Sequence, residues 1–62
     1  MLLIRVEYVD APNKPAQLAH VADVPGQGER ITLGTKSWYA QLVSTVADPK
    51  PGEPVAVVRV VE

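Results

Sequence analysis

Leu2, Ile4, Val6 and Tyr8 alternate with Leu3, Arg5, Glu7 and Val9. This period of two predicts a strand over residues 2–9 with polar residues at the centre of one face. Asp10 to Pro15 then crowds two prolines, an Asp and an Asn into six residues, which ends the strand in a loop. Residues 16–24 read two ways. Asn13 could cap a short helix that shares Leu18, Val21 and Ala22 on one face. Alternatively, Leu18, His20 and Ala22 alternate with Ala19, Val21 and Asp23 as an extended segment, the reading favoured by the strands around it.

Pro25-Gly26-Gln27-Gly28 predicts a turn, and Glu29 to Leu33 a strand with Ile31 and Leu33 on one face. Gly34 to Ser37 is a polar break of hairpin length. Trp38 to Val46 has strong strand propensity, but its apolar positions slip by one near Leu42, which predicts a β-bulge. Ala47 to Pro54 holds prolines at 49, 51 and 54 and a glycine at 52, a stiff loop poor in hydrogen-bond donors. The last strand, Val55-Ala56-Val57-Val58-Arg59-Val60-Val61, is apolar on both faces, so both faces need cover.

Five short strands make one all-β domain over residues 1–62: a small, strongly bent antiparallel sheet or SH3-like barrel. In such a barrel the terminal strands lie side by side. Arg59 marks the outer row of the last strand, which assigns Ala56, Val58 and Val60 to the core and leaves Val55, Val57 and Val61 facing outward.

Composition narrows function more than it names it. A chain of 62 residues buries only roughly 60% of its unfolded surface and keeps a slim stability. It has 11 valines, six prolines and no cysteine, so neither a disulfide framework nor a Cys-ligated metal staples it. Its net charge is −1, with basic residues scattered among acids, which disfavours a broad phosphate-binding surface. No apolar run approaches the ~20 residues that span a bilayer, and the start lacks a secretory pattern. The expected location is cytoplasmic, and the start at Met1 reads as that of a complete product.

Candidate chemistry is thin. Gly34-Thr35-Lys36-Ser37 has P-loop residue types, but a Thr separates glycine from lysine and a strand follows where a helix is required. Gly26-Gln27-Gly28 lacks the βα setting of a dinucleotide site. His20 is the single histidine, without the further ligands that zinc needs. Asp10, Asp23, Glu29, Asp48, Glu53 and Glu62 fall mostly in loops or at strand ends, with no pair suited to acid–base catalysis. Pro12 to Pro15 and Pro51 to Pro54 have PxxP spacing, yet stiffening of loops is the simpler role. No catalytic residue, cofactor or metal is expected.

The expectation is therefore a non-enzymatic interaction module, a homo-oligomer (dimer) that also binds a protein partner. An accessory or inhibitor protein of phage or plasmid type fits the same length and lack of chemistry. Leu3, Val9, Val55, Val57 and Val61 would form the contact, with Arg59, Arg5 and Glu7 at its rim. The alternative is a nucleic-acid adaptor using the 29–46 hairpin. There Arg30 and Lys36 would meet phosphate and one of Trp38 and Tyr39, adjacent and so on opposite faces, would stack on a base.

Overall fold

The computed structural model describes residues 1–11 and 13–62, leaving Pro12 of the first PxxP segment outside the described residues. All regular structure is strand: β1 Leu2–Tyr8, β2 Gln17–Val21, β3 Arg30–Leu33, β4 Lys36–Thr45 and β5 Ala56–Val61. The segment that admitted a helix is extended as β2. Its spatial order, β2-β1-β5-β4-β3, forms one sheet that curls through 239° into a half-barrel.

The small bent all-β fold is as expected, and the terminal strands are neighbours. One pairing within it differs from a purely antiparallel sheet: β1 and β5 run parallel, from Ile4 beside Ala56 to Tyr8 beside Val60. Chain direction reverses at each connection, so the first and fifth strands point the same way. Bringing them together must give a parallel pair. The other three pairings are antiparallel.

The core lines the concave side. Ile4 and Val6 of β1, Ala56, Val58 and Val60 of β5, Trp38 and Ala40 of β4 and Ile31 of β3 are all buried. Each follows from strand alternation, since pleating sends every second side chain inward. Tyr8, Val24, Leu33 and Val43 pack against this cluster. The loop between β2 and β3 contributes a buried Pro25.

The pairing of β4 with β5 shifts between Ala40 and Leu42, the bulge that the sequence slip implies. It restores alternation, so that Val43 sits beside Val58 while Leu42 sits beside Arg59. The β3–β4 turn is shorter than expected. Only Gly34 and Thr35 form it, and Lys36 and Ser37 belong to β4. Gly34 has φ +67°, the sign that a II′-type hairpin turn asks of its first central residue. Gly34→Ala forces a Cβ into that region and should lower stability by about 1–2 kcal/mol. The midpoint of urea unfolding would show it.

Candidate interaction surfaces

The convex face is built by the side chains that point away from the core. Cross-strand register orders them into rows. Leu18, Arg5, Val57 and Ser44 form one row across β2, β1, β5 and β4. Glu7, Arg59 and Leu42 form the next. Val61, Tyr39 and Arg30 form a third, with Val9 beside Val61 because its N–H donates to the Val60 carbonyl at 3.0 Å. At the other end, the Val55 N–H donates to the Leu3 carbonyl at 2.8 Å, and Leu3 pairs with His20.

Several of these side chains are apolar and open to solvent: Leu18 is 57% exposed, Leu42 45% and Tyr39 43%. Val9 is also exposed, while Leu3, Val55, Val57 and Val61 are half-buried. Of the valines expected to face outward, Val57 and Val61 stand in the outer rows with Leu18 and Leu42, whereas Val55 packs against the core cluster. Neither leucine was assigned to this surface from sequence, because Leu18 lay in the undecided segment and Leu42 beyond the slip in alternation.

The charges do not rim this patch. Glu7 accepts a 3.3 Å bond from Nε of Arg5 and another of 3.3 Å from Nε of Arg59, and the trio crosses the middle of the face. Val57 lies on one side of it, Val9 and Val61 on the other. The cause is register: β1 carries its polar centre opposite Val57 and Arg59 of β5. Each ion pair is exposed and contributes at most about 1 kcal/mol.

The hairpin surface divides in two. Arg30 donates to the Tyr39 hydroxyl at 2.9 Å, with its guanidinium 5.4 Å from the ring centre, so this pair belongs to the convex face. Trp38 is only 2% exposed and meets Tyr8 edge to face at 4.8 Å. Lys36 lies over that indole at 4.8 Å and is ion-paired with Glu62, and Lys14 covers the same ring at 5.4 Å. Trp38 and Lys36 are therefore unavailable beside Arg30 and Tyr39: two-residue periodicity sends them to the opposite side of the sheet.

An open groove of about 440 Å3 lies where Leu3, His20 and Val55 meet the 49–53 segment, with Lys50 and Glu53 on its wall. It holds one imidazole and one carboxylate. The described residues contain no cluster of three potential metal ligands. The second PxxP segment is closed into a turn by a 3.0 Å bond from the Glu53 N–H to the Lys50 carbonyl, rather than extended for recognition. No described helix is long and apolar enough to cross a membrane. No family model, curated protein or solved structure matches the chain.

Proposed function

We propose that the protein is a non-enzymatic interaction module that self-associates and holds a protein partner on its convex face, with the cytoplasm as its expected compartment. One observation carries this. All three arginines of the chain, Arg5, Arg30 and Arg59, stand on that face with Leu18, Leu42, Tyr39, Val57 and Val61. The lysines lie elsewhere, over the Tyr8 and Trp38 rings or on the 47–54 loop. Protein interfaces favour Arg and Tyr among apolar contacts and disfavour Lys.

Charge suggests the chemistry of the partner. The strand positions of this face set three guanidiniums against the single carboxylate of Glu7, although the whole chain is acidic at −1. A guanidinium fork suits a carboxylate in two-point contact, so the partner presents acidic side chains among apolar ones. A second copy presents the same positive strip. Facing it would set like charges together, which favours a foreign partner here and a different surface for self-association.

Val57→Asp tests the module. In a pull-down from cells that make the protein, wild type should retain a partner that Val57→Asp loses, with Arg59→Ala retaining less than wild type. Equal retention by wild type and a folded Val57→Asp would overturn the proposal. The nucleic-acid alternative keeps Arg30 and Tyr39 on one surface. Salt-sensitive oligonucleotide binding by fluorescence anisotropy, lost in Arg30→Ala, would displace the protein partner in its favour.

A further inference from the structure

β2 has one neighbour. Gln17–Val21 pairs with β1 along one edge and touches no other strand. No further backbone hydrogen bond among the described residues reaches it. Its other edge therefore presents unpaired N–H and C=O groups, a template for another strand.

Sheets guard such edges with lysine, proline or inward-pointing charge. β3, at the opposite rim of the half-barrel, begins with Arg30. β2 reads Gln-Leu-Ala-His-Val: it has no acid, lysine, arginine or proline, and its Leu18 is the most open leucine of the chain. The strand therefore sets no formal charge of its own against a second copy of itself.

We propose that the protein forms a two-fold dimer in which β2 pairs antiparallel with β2 of a second copy, joining the two half-barrels through one continuous sheet. Keeping both convex faces on one side of the joined sheet requires a two-fold axis perpendicular to it, and that axis makes the pairing antiparallel. Register follows from alternation. Convex-facing residues must stay on the convex side of the joined sheet, so one residue faces its own copy and the two-fold axis passes midway between them. Ala19 is the middle residue of β2. Centring there pairs Gln17 with the partner's Val21 and Leu18 with the partner's His20, which uses the whole strand.

The dimer rests on the self-association in the proposed function, but uses none of the valines of the convex patch, so the two fail separately. Sedimentation equilibrium over a concentration series would compare wild type with Val57→Asp and two double variants. Leu18→Glu with His20→Glu sets like charges opposite each other across the axis twice. Leu18→Glu with His20→Lys sets opposite charges there. The new carboxylate at position 18 lies beside Arg5 within the chain in both, so intrachain effects at that position match.

Wild type and Val57→Asp should sediment as dimers. The Glu/Glu variant should weaken the dimer roughly tenfold or more, and the Glu/Lys variant should restore it. Since the chain has no cysteine, Ala19→Cys adds a direct reading. Residues facing each other across an antiparallel pair have Cα atoms roughly 4.5–5.5 Å apart, within disulfide reach. Oxidation should yield a covalent dimer, and Ala47→Cys should not. A wild type of single-chain mass at every concentration, or equal association in the two double variants, would overturn the dimer. A dimer dissociated by Val57→Asp would overturn it too, by moving the contact to the convex face.

Discussion

Trp38→Ala is expected to leave the chain unfolded at room temperature. Trp38 is the single tryptophan and the largest fully buried side chain. It pairs with Ile31 across the hairpin and meets Tyr8 of β1 at 4.8 Å. One residue thus ties one side of the half-barrel to the other. Truncating a buried Trp to Ala costs about 3–5 kcal/mol, while a core of this size rarely supplies more than about 3–5 kcal/mol in all. Far-UV circular dichroism and amide proton dispersion would show the loss. Trp38→Phe keeps a ring in the gap and should remain folded with a lowered unfolding midpoint. A cooperatively folded Trp38→Ala would mean that Tyr8, Val58 and Ile31 hold the sheet without it.

Alternation in β5 was legible from the sequence and marks three of the eight buried core residues. Arg59 marked the outward row, and Ala56, Val58 and Val60 are all buried. The bulge after Ala40 was readable too, because Leu42 and Val43 break a period of two that Trp38 and Ala40 had set. Local sequence could not supply register between distant strands. Placing Glu7 beside Arg59 requires the β1–β5 pairing, so the charges looked peripheral when they cross the centre of the convex face. Adjacency likewise showed that Trp38 and Tyr39 face opposite ways, but not which was buried. The decision came from β3, where Ile31 faces Trp38 and Arg30 faces Tyr39. For β2 the limit was physical. A strand with one neighbour is mostly exposed, so Gln17 to Val21 carries little apolar periodicity to read.

Two adjacent valines of β5 face opposite sides of the sheet. Val58→Asp should abolish the fold, whereas Val57→Asp should leave it nearly intact. Val58 is fully buried between Val6 of β1 and Val43 of β4, and no buried polar or charged side chain stands among the described residues to receive a carboxylate. Burying an unpartnered polar group costs several kcal/mol, and an ionised one more, which exceeds what a chain of this size holds in reserve. Val57 lies between Arg5 and Ser44. A carboxylate there gains a guanidinium neighbour and loses only part of the apolar contact of a half-buried side chain. Urea unfolding of both variants, with a Val57→Asp midpoint close to wild type and no folding transition for Val58→Asp, would assign the inner row of β5 to stability. It would also free the outer row to serve a partner. Comparable destabilisation of both would mean that the outer row is held by the fold itself, and that the convex face is not a surface open for docking.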